Sequence, residues 1–397
     1  MTTKFLTGIL LSVAAASEVP TADSLFQTGK FAEAEKAYSA ANPKDSRAEL
    51  RLGQIALYSN RFEDAEKHLR KALALEPDEA TAKTANSLLA ESFYRRDNYP
   101  EAAKWFRAAG NDAKATALDN FKADKPYQVE ANAETTSLKF VVADPLPVVQ
   151  VKVNGGDSVY FLIDTGGPEV VLATDFASKL GLESIKGGQG TLAQGKKATI
   201  EYSRIASLTL GDFLIRNLPA NLLPLPEISG YKISGILGTE LLYHFLPTLD
   251  YPAGRLILRK KSKKLDRQFT RGIVIPFWLA GDHYMVAWGR VNQAPELLLV
   301  DTGFAGGGFL CPQSTLKQAG IAVQPQEGQP LSPFVVDDLV LADAHQQKIH
   351  GLTGVFPPSL ENQFGFRIGG LISHEFFKPY VVTFDFERMR IILENHQ

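Results

Sequence analysis

Along the first third of the chain, apolar residues recur at three- and four-residue spacing. Leu50, Leu52, Ile55, Ala56 and Leu57 form one stripe; after a polar turn, Ala65, Leu69, Ala72 and Leu73 form another. The pattern predicts amphipathic helices packed in pairs. Three segments align: Gly29-Lys30-Phe31-Ala32-Glu33-Ala34-Glu35, Asn60-Arg61-Phe62-Glu63-Asp64-Ala65-Glu66 and Asp97-Asn98-Tyr99-Pro100-Glu101-Ala102-Ala103. Each sets an aromatic residue before an acidic, alanine-containing helix start. The aromatic positions 31, 62 and 99 lie 31 and 37 residues apart, a mean of 34, and Pro43 and Pro77 close two of the units. A helix-turn-helix unit of that period is the mark of a stacked repeat array, expected over residues 22–122. Such an array offers a concave groove to a peptide or partner protein, or serves as a packing annex that positions the next domain.

From Lys125 to Ser137 the periodicity fades around Pro126, so residues 123–137 are expected to be a linker. Past Leu138 the pattern changes to short β-branched and aromatic runs between glycine and proline turns, as in Val148 to Val153, Val159 to Ile163 and Ile200 to Leu210. These predict a mainly-β region. Its two halves, residues 138–260 and 272–397, repeat four landmarks in the same order on either side of a connector at 261–271. An apolar strand runs into Asp164-Thr165-Gly166, and another into Asp301-Thr302-Gly303, 137 positions later. A short helix ends at Gly181 and again at Gly320, an offset of 139. Gly235-Ile236-Leu237-Gly238-Thr239-Glu240 corresponds to Gly370-Leu371-Ile372-Ser373-His374-Glu375, and Thr248-Leu249-Asp250-Tyr251 to Thr383-Phe384-Asp385-Phe386, both at 135. Near-constant offsets over four landmarks mean an internal duplication.

Those residues carry a resemblance. The repeats resemble tetratricopeptide repeats, and residues 138–397 resemble the aspartic protease superfamily of retropepsin-like and pepsin-like enzymes with both lobes on one chain. The implied architecture is multidomain: all-α tetratricopeptide-like repeats followed by a mainly-β, two-lobed aspartic-protease-like domain. The resemblance implies that Asp164 and Asp301 are the catalytic pair of an aspartic endopeptidase, while Thr165, Gly166, Thr302 and Gly303 support the loops that carry them. Two carboxyls held close together cannot both ionise cheaply, so they share one proton and provide one acid and one base. Hydrolysis then needs only a water between them, and no cofactor or metal is implied. The expected partners are a protein or peptide substrate and, through the repeats, a possible protein partner. An alternative is a peptide-binding module that keeps the fold without cleaving.

Several positions depart from the family pattern. Gly167 and Phe304 follow the two Asp-Thr-Gly segments where a small, often hydroxylated residue is usual. Ser373 replaces the glycine found at Gly238, which implies an altered loop in lobe two. Lys186 to Lys197 stands where lobe one's flap is expected, or is a surface hairpin without a ligand. Glu240 and Glu375 are read as first-turn acids favoured by the helix dipole. His244 and His374 are read as structural or surface residues, and the basic run Arg259 to Lys264 as a solvated connector.

Composition changes the picture in a few respects. A net charge of -2 over 397 residues gives no basis for a nucleic-acid partner or an anionic membrane. The single cysteine, Cys311, excludes an intrachain disulfide and a cysteine-based zinc cluster. Lys4, the apolar run Phe5 to Ala16 and the small residues Ala14, Ala16 and Ser17 have the layout of a secretory signal peptide over residues 1–17. The expectation is export to the periplasm or medium, with no stable membrane span.

Overall fold

The structure, a computed structural model, describes residues 20–121, 124–191, 197–261, 272–323, 330–354, 356 and 358–395. The leader expected at residues 1–17 lies outside the described residues.

Among the described residues, seven helices come first: Ala22–Gln27, Phe31–Ser39, Ser46–Tyr58, Phe62–Ala74, Glu79–Tyr94, Tyr99–Ala108 and Asp112–Asp119. The aligned segments of the sequence mark the turns between paired helices. Gly29, Asn60 and Asp97, each first in its segment, all have a left-handed backbone with φ of 74°, 55° and 59°. Glycine, asparagine and aspartate tolerate that conformation best, which explains the choice of residues. Side-chain caps fix other helix starts: Asp45 accepts from the amides of Arg47 and Ala48, and Asp78 from that of Thr81 at 2.7 Å.

Helix Ser46–Tyr58 shows how the array is used. Leu50, Ala56 and Leu57 pack with Leu69 and Leu89 inside the array. Its other side, with Leu52, Ile55 and Tyr58, enters a second apolar cluster that includes Leu297, Leu299 and Phe366 of the β region. Phe31 meets Phe366 and Trp278 edge-on at centroid separations of 5.1 and 5.3 Å. A helix apolar on both sides is buried on both sides. One face of this helix is thus packed against the β region.

Among the described residues, the β region forms three sheets. Each lobe has its own, and a six-stranded sheet joins them in the order Ile273–Pro276, Arg390–Asn395, Tyr380–Asp385, Phe245–Asp250, Arg255–Lys260, Thr135–Lys139. At its centre Thr248 pairs with Thr383, its own duplicate, and the two hydroxyls are 2.8 Å apart. The sheet reads the same from either end under the duplication: Leu138 opposes Leu256 as Ile275 opposes Ile391. Asp250 holds the amide of Ala253 and the guanidinium of Arg255, and Asp385 holds the amide of Arg388 and Arg390 in the same way. The duplication is thus a two-fold arrangement in space as well as in sequence.

Two expectations are corrected. Residues 123–137, read as a linker, include strand Gln128–Glu130, paired with Phe213–Leu223, and the start of Thr135–Lys139 in the joining sheet. The threonines and Ser137 disguised an alternating strand in which Thr136 and Leu138 face inward. The basic run is not wholly a solvated connector. Arg259 and Lys260 end strand Arg255–Lys260, where Arg259 donates to Thr248 Oγ1 at 2.7 Å and Lys260 to the Ala131 carbonyl at 3.0 Å. Residues 262–271, including the end of that run and all but the first residue of the expected connector, lie outside the described residues.

Because array and lobe two share one core, they should unfold together. Phe31→Ala empties a fully enclosed ring site and should cost about 3–5 kcal/mol. Calorimetry should show one lowered transition for the whole protein; a separate early melt of the helices would contradict a shared core.

Candidate active site at the lobe junction

Strands Ser158–Ile163 and Ala294–Asp301 carry the two Asp-Thr-Gly segments to the same place. Each strand pairs in parallel with the one bearing the later landmark of its own lobe: Ile163 opposes Leu237, and Asp301 opposes Ser373. The loops then cross. The amide of Thr165 donates to Thr302 Oγ1 and the amide of Thr302 to Thr165 Oγ1, both at 3.0 Å, with both threonines fully buried. Thr165 Oγ1 in turn reaches the Val300 carbonyl at 3.5 Å.

Asp164 Oδ1 accepts from the amide of Gly166 at 2.7 Å, and Asp301 Oδ1 from that of Gly303 at 2.8 Å. A β-carbon on Gly303 would collide with the Asp164 carboxyl, and one on Gly166 with that of Asp301. Each aspartate therefore lies against the glycine of the opposite lobe, and the glycines are needed for close approach rather than for an unusual backbone.

The two carboxyls lie close enough to interact, and each bears on the ionisation of the other. Both retain some surface toward the junction, yet the surrounding protein removes enough water to govern their ionisation. Burial pushes Asp301 well above the usual carboxylate range, and the charge of Asp164 adds to it. Asp164 is also raised by burial, against the Gly166 amide and the nearby His283, which favour its charge. A pair of carboxyls raised together in this way shares one proton.

Behind lobe one's loop, Thr239 Oγ1 donates to the Thr165 carbonyl at 2.9 Å, and the amides of Thr239 and Glu240 donate to the carbonyls of Gly167 and Pro168. A side chain at Gly238 would strike the Glu169 carbonyl. In lobe two Ser373 fits because the glycine run leaves room. Its amide donates to the Gly308 carbonyl at 3.1 Å, its hydroxyl to that of Gly307 at 2.7 Å, and the hydroxyl also caps the amide of Glu375. The altered loop implied by Ser373 is thus closed by the serine itself. Phe304 lies over Gly306 and packs against the cluster shared with the array. The flap candidate forms a hairpin from strands Ser184–Thr191 and Lys197–Leu210, while residues 192–196 fall outside the described residues.

Several residues at this junction carry no local mark in the sequence. Glu169, 1% exposed, accepts from Tyr94 Oη and Lys114 Nζ of the array. Arg95, the neighbour of Tyr94, pairs with Glu91 and donates to the carbonyls of Leu279 and Gly281 in lobe two. Burial raises Glu91 to about 7 despite that arginine. Glu240 is not simply a first-turn acid. Burial holds it well above its usual range, and its Oε1, like the hydroxyls of Tyr99 and Tyr127, has no partner among the described residues. His244 bridges the Glu240 carbonyl and Asp97, a structural tie, while His374 is buried and pushed down to about 4.

Residues 149–241 match the family described as Aspartyl protease, and residues 50–116 match Tetratricopeptide repeat. The first match spans the Asp164 loop and the Ile236-Leu237-Gly238 segment behind it. The chain carries an aspartyl protease-like domain behind tetratricopeptide repeats. Among solved structures, the crystal structure of basic 7S globulin from soybean aligns at 11% identity and a TM-score of 0.40, covering 68% of this chain and 96% of that one. No curated protein matches. In the described residues of this protease-like domain and its repeats, no group of three or more His, Cys, Asp or Glu is placed to hold a metal, and no helix is long and apolar enough to cross a membrane.

Two outcomes follow from the geometry. Thr302→Val deprives the buried Thr165 amide of its acceptor and should cost about 1–3 kcal/mol, read by denaturant unfolding. The dyad also gives stability a pH signature. A carboxyl raised above its unfolded value of about 3.9 adds stability below that value, and this contribution is lost as pH climbs through the folded one. Asp301→Asn, always neutral, should therefore gain melting temperature relative to the parent as pH rises from acid to neutral; a pH-independent difference would contradict a raised, shared pair.

Proposed function

We propose that the protein is an aspartic endopeptidase. The observation that carries this reading is the pair of carboxyls held together between crossed Asp-Thr-Gly loops. Ionised Asp164 takes a proton from a water between the carboxyls as the water oxygen attacks the scissile carbonyl carbon. Protonated Asp301 donates its proton to the carbonyl oxygen. The tetrahedral species collapses as the C–N bond breaks: Asp164 gives its proton to the leaving nitrogen, one hydroxyl of the tetrahedral carbon returns a proton to Asp301 as the C=O re-forms, and acid and free amine leave. Thr165, Gly166, Thr302 and Gly303 keep the carboxyls in register and take no part in bond making.

The substrate class is protein or peptide. Since the inner side of Ser46–Tyr58 is packed against lobe two, the array's part in this proposal is to support the cleft, and recruitment of proteins would use its outer helices. Export, resting on the leader pattern of residues 1–17, belongs to the same reading.

Cleavage of a diverse peptide mixture, mapped by mass spectrometry from acid to neutral pH, tests it. Cuts should appear with the parent protein and fall by about 10²–10⁴-fold with either Asp164→Asn or Asp301→Asn. Intact peptide binding with no cuts at any pH would replace this reading with that of a peptide-binding module.

A further inference from the structure

The duplication is broken where the array touches it. Five residues past Asp164, Glu169 is buried and takes two charge-assisted bonds from the array, from Tyr94 Oη and Lys114 Nζ. Lys114 Nζ also lies 4.4 Å over the Tyr94 ring, so the three side chains form one packed unit. The position equivalent to Glu169 in lobe two, by the offset of the two aspartates, is Gly306, which has no side chain to hold. Lobe two is gripped elsewhere. Arg95 donates to the carbonyls of Leu279 and Gly281 just before Asp282 and His283, and those two side chains pair with each other. Leu279 pairs with Met285, and Met285 with Val300, the residue before Asp301. Consecutive residues at the end of helix Glu79–Tyr94, Tyr94 and Arg95, therefore reach one lobe each.

We propose that Tyr94, Arg95 and Lys114 form an interlobe clamp, acting through Glu169 and the Leu279–His283 segment to set the placement of Asp164 against Asp301. The array is then a positioning part of the site rather than an appendage. This rests on the endopeptidase reading for its kinetic form, but a binding measurement reads the same placement without turnover.

The geometry supports positioning more than mere stability. Replacing a buried ion pair by apolar residues of similar volume is often neutral or favourable for folding. It removes, however, the directional bonds that fix the far end of the Asp164 loop. Misplacement of a reacting group by about 1 Å costs on the order of a hundredfold in rate. Around Glu169 the ionisable neighbours include Tyr94, Tyr99 and Lys114 from the helices and Tyr127, Tyr202 and Glu240 from the residues that follow, while Asp282 of lobe two acts on Lys114 and Glu240. Lys114 and Arg95 are the cations facing this group of acids.

The test uses the full chain carrying Tyr94→Phe, Lys114→Met and Glu169→Leu together, with Lys114→Arg as the conservative variant. Two peptides serve as probes: one that is cut, and an analogue with a secondary hydroxyl in place of the scissile amide, which sits between the carboxyls as the tetrahedral species would. The triple variant should melt cooperatively and lose about ten- to a hundredfold in kcat with KM within about twofold. Its preference for the hydroxyl analogue over the plain peptide should fall by a similar factor, and Lys114→Arg should recover most of both. A folded triple variant with the parent's kcat and hydroxyl preference overturns the clamp alone. A parent that binds the hydroxyl analogue preferentially yet never cuts overturns the endopeptidase reading, and the clamp is then decided by that preference; no preference in the parent overturns both. Should the triple variant not fold, Glu169→Gln, which keeps the shape but removes the charge, must lower kcat or the hydroxyl preference severalfold with KM unchanged, and a folded Glu169→Gln equal to the parent overturns the clamp.

Discussion

At the lobe junction each Asp-Thr-Gly loop supplies what the other lacks. The amide of Thr165 has its acceptor on Thr302, and that of Thr302 on Thr165. Neither lobe can satisfy these buried donors alone, so the pairing is a condition for folding as well as an ornament of the site. It fixes the backbone of both loops within a residue of the aspartates and forces the carboxyls together at a place where their charges repel. Each carboxyl then rests against the opposite glycine, where no β-carbon fits. The raised ionisation of the pair follows from this constraint: loops locked by threonines bring two acids into one poorly hydrated space, and one proton stays.

A two-fold duplication by itself gives two equivalent acids. The rest of this structure makes them inequivalent. Lobe one backs its loop with Gly238 and Thr239, lobe two with the hydroxyl of Ser373. His283 favours the charge of Asp164. The helical repeats bury Glu169 beside one loop and hold the Leu279–His283 segment of the other lobe. These asymmetries place the two acids in different surroundings.

Legibility in the sequence followed the range of the interaction. The turn residues Gly29, Asn60 and Asp97 answer to a local backbone requirement, and the two Asp-Thr-Gly segments sit at the ends of continuous apolar strands, so both could be read from short windows. Strand Thr135–Lys139 could not, because its inward Thr136 is polar and its pairing with Arg255–Lys260 lies more than a hundred residues away. The Glu169–Lys114 pair is likewise set by docking of the helices, and no spacing rule links the two residues. Arg259 looked like part of a solvated basic run since its partner, Thr248 Oγ1, is supplied across the joining sheet. Glu240 sat where a helix start welcomes an acid, and only the packing of the array over it shows that the carboxyl is kept from water.

The most direct measurement is a carbon-13 titration of side-chain-labelled aspartates in the full protein, with the signals of Asp164 and Asp301 assigned from their asparagine variants. The account predicts that the two signals titrate as a coupled pair and that the last proton leaves well above the ordinary carboxylate range. Two independent titrations inside the ordinary range, near about 4, would contradict it.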